Sequence, residues 1–112
     1  MSTEFDNETW LIEFGDEVIQ KKARFGIAEL TPVERLTYCL WVADYSIRNG
    51  GDLAAANDLY EPFQTEAVHF AGILGLSFTV ESFLLPRGSF ASEYFKRFER
   101  ICLEIKHFKQ SI

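Results

Sequence analysis

The chain reads as an all-α protein folded as a single compact domain of five or six helices over residues 1–112. Three observations support this. The 112 residues are 47 % apolar and 15 % aromatic, enough for one core and too apolar for global disorder. Apolar side chains recur at three- and four-residue steps along most of the length. Residues that start and stop helices punctuate the chain from end to end.

Asp6 or Asn7 is placed to cap a first helix running to about Ala23, with Trp10, Leu11, Phe14, Val18 and Phe25 on its apolar stripe. Gly15 weakens that helix by about 1 kcal/mol relative to Ala and marks a candidate kink. After a connector over 26–30, Thr31-Pro32-Val33-Glu34 forms a capping box. Thr31 is set to accept from the Glu34 backbone, Glu34 to reach back, and Pro32 occupies the first helical position. This second helix runs to Asn49, and Gly50 is positioned for a left-handed C-cap. With Asp52 able to cap the next helix, Asn49-Gly50-Gly51-Asp52 is a structural corner.

A short helix follows over about 53–59. Pro62 starts another, with Phe63, Ala67, Phe70, Ala71 and Leu74 on one face and Gly75 ending it. The stretch 78–85 is open between a short helix capped by Ser77 or Thr79 and an irregular or extended segment, since Phe78, Val80 and Phe83 also suit a strand. Pro86-Arg87-Gly88 reads as a turn. Ser89 then caps a last helix from Phe90 to Phe108, striped by Phe95, Phe98, Ile101, Cys102, Ile105 and Phe108.

The second helix is apolar on two sides. Leu36, Leu40, Ala43 and Ile47 share one face, and Tyr38, Trp41 and Tyr45 share roughly the opposite one. Such a helix is ordinarily central and buried. The alternative is that the three aromatics are anchors for a partner.

Net charge is −6, which argues against direct contact with nucleic acid, because phosphate binding needs a cationic surface. The imbalance is local. Residues 1–66 carry −8 and residues 67–112 carry +2. The first 17 residues hold six acids and no base. Glu13, Asp16 and Glu17 follow i, i+3, i+4 spacing and share one helix face, either as a plain solvated surface or as a patch that attracts a basic partner.

No catalytic motif appears, and no cofactor is implied. Glu66-Ala-Val-His69 and Glu104-Ile-Lys-His107 have the Glu-x-x-His spacing of carboxylate-bridged di-metal bundles. At about 100° per residue, however, both histidines fall away from the apolar stripes and should face water. Cys39 and Cys102 read as two reduced thiols in a core rather than a disulfide scaffold. The acidic N-terminus lacks the form of a signal peptide, and the longest stretch free of charged residues, Ala67–Val80, is 14 residues. A cytoplasmic protein that does not engage membranes is expected, and a homodimer is left open.

The run Leu30-Thr31-Pro32-Val33-Glu34-Arg35, followed by Tyr38, Trp41, Tyr45 and Asn49-Gly50-Gly51, resembles a bacterial domain-of-unknown-function family with an LTxxER-like start and an NGG corner. That family includes an acidic DNA-mimic protein. Here Asp52-Leu53-Ala54-Ala55-Ala56 follows the corner, where the family usually has aromatic residues. The resemblance implies a small acidic helical fold and a non-enzymatic role. It carries over no functional carboxylate, because those lie outside the matched residues. The expected function is binding and blocking a basic protein such as a DNA-binding regulator. An immunity or antitoxin protein acting on a nuclease or toxin is the alternative, and a di-metal helical enzyme is the remote one.

Overall fold

The computed structural model describes residues 3–111, which form six α-helices and no strand. They are α1 (Thr3–Phe25), α2 (Pro32–Gly50), α3 (Ala54–Leu59), α4 (Phe63–Leu74), α5 (Ser77–Phe83) and α6 (Arg87–Ser111), with a 3-10 turn at Ile27–Glu29. The radius of gyration, 12.9 Å, is close to the roughly 13 Å expected of one packed domain this size.

α2 is the central element and packs on α1, α3, α4 and α6. Its start is built as the sequence predicts. Thr31 Oγ1 accepts from the Glu34 N–H at 3.3 Å, and Glu34 Oε1 accepts from the Thr31 N–H at 2.8 Å. Leu36, Leu40, Ala43 and Ile47 are buried against Leu11 and Val18 of α1, Phe63 and Ala67 of α4, and Phe98, Ile101 and Ile105 of α6. Removing these side chains from water is the main stabilising term, about 25 cal/mol per Å² of apolar area.

Several boundaries differ from expectation. α1 is already helical at Thr3, so Asp6 and Asn7 lie inside it rather than at its cap. Asn7 is fully buried, and its Oδ1 accepts from Lys106 Nζ of α6. Phe25 ends the helix and is 61 % exposed, off the core stripe. Gly15 makes no break in α1. A Cβ there would stand 2.6 Å from Trp41 Cδ1, so the glycine lets the two helices approach. At the corner, Gly51 takes the left-handed conformation (φ 77°), while Gly50 completes α2. Asp52 Oδ1 accepts from the Ala54 N–H as expected.

The stretch 78–85 is mostly helical. The start of α5 is capped neither by Ser77 nor by Thr79. Instead, Glu104 of α6 accepts from the N–H groups of Phe78 and Thr79 and from the Thr79 hydroxyl, at 3.2, 2.8 and 2.7 Å. A cap supplied across 25 residues of chain leaves no local signal. α6 begins at Arg87, so Arg87, Gly88 and Ser89 are helical rather than turn and cap. Its buried face runs through Phe90, Tyr94 and Phe98, while Phe95 is 49 % exposed. The shift arises because Asp44 accepts the Tyr94 hydroxyl at 2.5 Å, which allows a polar ring to occupy the core.

Candidate partner-binding surface

α1 and α2 lie side by side. The contact between Gly15 and Trp41 fixes their level, and the 3.7 Å pair between Glu8 and Arg48 fixes it again nearer the start of α1. On α1, Leu11, Phe14 and Val18 point into the core. Glu13, Asp16 and Glu17 follow on the other side of the helix, and all three are exposed. Carboxylates at this spacing stand about 5–6 Å apart. Asp16 accepts from Gln20 Nε2 at 2.8 Å, and among the described residues no base pairs with any of the three. Glu4, another N-terminal acid, has its side chain outside the described residues.

The neighbouring bases have other commitments. Lys21 pairs with Glu34 at 2.8 Å. Lys22 lies 5.2 Å from the Tyr38 ring centre. Lys106 and Lys109 reach over Trp10 and Phe14. A cation over an aromatic face is held by the ring quadrupole, and here that arrangement draws the cations away from the outer face of α1.

The three aromatics of α2 grade from buried to exposed. Tyr38 is buried, Trp41 half-buried and Tyr45 45 % exposed. They form one stacked column: Tyr45 on Trp41 at 5.6 Å and 19°, and Trp41 on Tyr38 at 6.5 Å and 9°. Tyr60, which follows α3, meets Tyr38 edge-on at 5.3 Å. The two readings of this face therefore divide along its length, with packing at the Tyr38 end and exposure at the Tyr45 end. Beside it, Glu8, Ile12 and Asp16 form an i, i+4 row on α1, and Ile12 is 54 % exposed. The sequence reading missed Ile12. Its signal is a large apolar residue next to a mid-helix glycine that marks the helix contact.

The remaining candidates occupy separate places. Glu66 accepts from Arg35 Nη2 at 2.9 Å and from the Tyr60 hydroxyl. Burial, then the Glu66 carboxylate, push the Tyr60 phenol above its ordinary range. Glu104 serves α5 as described above. His69 and His107 are exposed, and among the described residues no three His, Cys, Asp or Glu side chains gather closely enough to hold an ion. Cys39 and Cys102 are buried free thiols, raised by burial and so held protonated and unreactive. Asn49, Gly50, Gly51 and Asp52 serve the corner, where Asn49 Nδ2 donates to the Tyr45 carbonyl at 2.8 Å.

Asp44, Tyr94 and Arg48 form a polar cluster that no sequence motif marks. Arg48 Nε donates to Asp44 Oδ1 at 2.9 Å, and its guanidinium lies 5.0 Å from each of the Phe95 and Phe98 ring centres. Burial pushes the Asp44 carboxyl above its ordinary value despite the hydrogen bonds from Tyr94 and Arg48. The cluster joins α2 to α6 and, through Glu8, to α1.

Among the described residues no helix is long and apolar enough to cross a membrane. Comparison with protein-family models, curated proteins and solved structures found no match.

Proposed function

We propose that this chain is a non-enzymatic interaction protein of the cytoplasm that binds and blocks a basic protein, such as a DNA-binding regulator, in the manner of a DNA mimic. One observation carries the reading. Glu13, Asp16 and Glu17 stand exposed and unpaired by any described base, while nearby cations are tied to aromatic rings or to other acids. An uncompensated anionic face creates a field that steers cationic partners and speeds encounter, and salt weakens it. The exposed Ile12 of α1 and the exposed Tyr45, stacked on Trp41, supply the apolar contact that slows dissociation.

The exposed end of the aromatic column also supports the immunity-protein form of this reading, in which one cognate toxin or nuclease is held tightly. A single toxin-like partner retained through high salt would select that form. Several basic partners released by salt would select the regulator form.

The test is affinity capture from the source cell at about 50 and about 500 mM salt. It uses the wild-type chain and the triple variant Glu13→Gln, Asp16→Asn, Glu17→Gln. The expected result is a basic protein captured by the wild type at low salt and lost from the variant. Equal capture by both chains, or no basic partner at either salt, would overturn the reading. Stoichiometric iron or manganese in the purified protein would replace it with a metal enzyme.

A further inference from the structure

Both ends of α5 are held by side chains of other helices. At its start, Glu104 of α6 accepts from the N–H groups of Phe78 and Thr79 and from the Thr79 hydroxyl. At its end, Gln64 of α4 donates through Nε2 to the Phe83 carbonyl at 2.9 Å and to the Leu85 carbonyl at 2.6 Å. Between them, Arg97 of α6 donates from Nη1 to Ser82 Oγ at 3.2 Å and lies 3.9 Å from the Glu81 carboxylate. α5 has no side-chain cap of its own, and its seven residues are too few to hold a helix in water unaided.

The face that α5 buries is also weakly apolar. Its buried residues are Thr79, Ser82 and Phe83, so two of the three carry hydroxyls. Among them only Phe83 is a large apolar side chain, and it meets Phe90 at 4.9 Å. Phe78 is half-buried, with the guanidinium groups of Arg97 and Arg100 at 5.3 and 4.2 Å from its ring centre. Apolar burial resists opening in proportion to its area, whereas polar contacts exchange for water at small net loss. A short element with few buried apolar side chains and mostly polar attachments belongs at the low end of local stability.

We infer that α5 is a strap that opens as one unit from α6, between the short links 75–76 and 84–86, while the other helices stay folded. Opening releases Arg97, Arg100 and Glu104 from the groups that α5 supplies. These three follow i, i+3, i+7 spacing and share one face of α6. Closed, the strap keeps this charged row engaged; open, it presents the row to solvent. The inference stands apart from the proposed partner, whose face lies on α1 and α2.

The experiment is amide exchange of the full chain, followed by NMR at urea concentrations below the unfolding transition. The informative amides are those of residues 80–84. Val80 donates to the Leu76 carbonyl and Leu84 to the Val80 carbonyl, both at 3.0 Å, so their protection depends on α5 staying in place and not on a bond to Glu104 or Gln64. In the wild type they should exchange roughly a hundredfold faster than the amides of Leu36 and Leu40 in α2, with one shared opening constant and a smaller urea dependence. Glu104→Ala should speed all of them by about tenfold and Gln64→Ala by about fivefold. The Gln64 effect is the sharper sign of a unit, because Gln64 is bonded to carbonyls and to no N–H of α5. Exchange of residues 80–84 at the same constant and urea dependence as the α2 amides would overturn the strap and make α5 part of the global unit. Acceleration confined to Phe78 and Thr79 in Glu104→Ala, with Leu84 unmoved in both variants, would overturn it by making each contact a local one.

Discussion

Carboxylates do opposite work in two regions of this molecule. Around α2 and α6, Asp44, Glu66 and Glu104 each join separate elements: Asp44 holds Tyr94 and Arg48, Glu66 holds Arg35 and Tyr60, and Glu104 caps α5. On the outer face of α1, Glu13, Asp16 and Glu17 join nothing among the described residues beyond the Gln20 side chain. Both regions are made of the same residue types. They differ in where packing has put the cations and N–H donors. A carboxylate that loses water must gain donors, so the inner acids are fixed in number and place. The outer acids keep their hydration, so the fold constrains them little, and their clustering is open to another purpose.

This contrast sets the scale of expected mutational effects. The largest belongs to Asp44→Ala, which strands the buried Tyr94 hydroxyl and removes a partner of Arg48. A loss of about 3 kcal/mol is expected in urea unfolding. Asp44→Asn should recover part of it, because the amide oxygen still accepts from Tyr94. Glu104→Ala comes next, at about 1–2 kcal/mol. Amide exchange at Phe78 and Thr79 should speed up, and Glu104→Gln should restore protection at Thr79, whose N–H and hydroxyl share one oxygen, but not at Phe78, which donates to the other. If Glu104→Ala leaves both amides as protected as before, the cross-helix cap is not what holds α5.

Gly15→Ala tests the seam between the two regions. The added Cβ meets the Trp41 ring at 2.6 Å. Overpacking of about 1–3 kcal/mol is offset by about 1 kcal/mol of helix propensity, for a net loss near 1 kcal/mol. The displaced indole should also shift the tryptophan emission. An Ala variant as stable as wild type with unchanged emission would contradict the close approach.

Glu34 gives the pH dependence. Burial pushes its carboxyl up, but Lys21 and the Thr31 backbone and side chain outweigh this and hold it below the ordinary value. Its contribution is therefore complete above the ordinary carboxylate value of 4.5 and is lost as pH falls through the lowered one. Glu34→Gln should cost roughly 0.5 kcal/mol at pH 7, and the gap from wild type should close as the pH is lowered past that range. The smallest stability effect is expected for Glu13→Gln, Asp16→Asn, Glu17→Gln together. It should lie within about 0.5 kcal/mol and on the stabilising side, because like charges at helical spacing repel. A large destabilisation in thermal melts would move these three into the group of structural acids.

Much of the scaffold was legible from residue order, because the signals are local. The Thr31 capping box, the end of α4 at Gly75, and the faces of Leu36–Ile47 and Phe98–Ile105 all depend on neighbours within a turn or two. The exposure of Glu13, Asp16, Glu17, His69 and His107 was legible for the same reason. The errors fall where the deciding partner is distant. Gly15 was read as a kink because Trp41 is 26 positions away, and Ser77 or Thr79 as a cap because Glu104 is 25 or more away.

Composition and periodicity by themselves determined that this chain is an all-helical, acidic fold with its negative charge weighted toward the first half. They follow from backbone geometry and residue counts, which need no knowledge of long-range contacts. Only the tertiary structure decided which acids remain available and which aromatic face remains open. Packing assigns most of the cations to a ring or a carboxylate, and that assignment depends on which helices are neighbours.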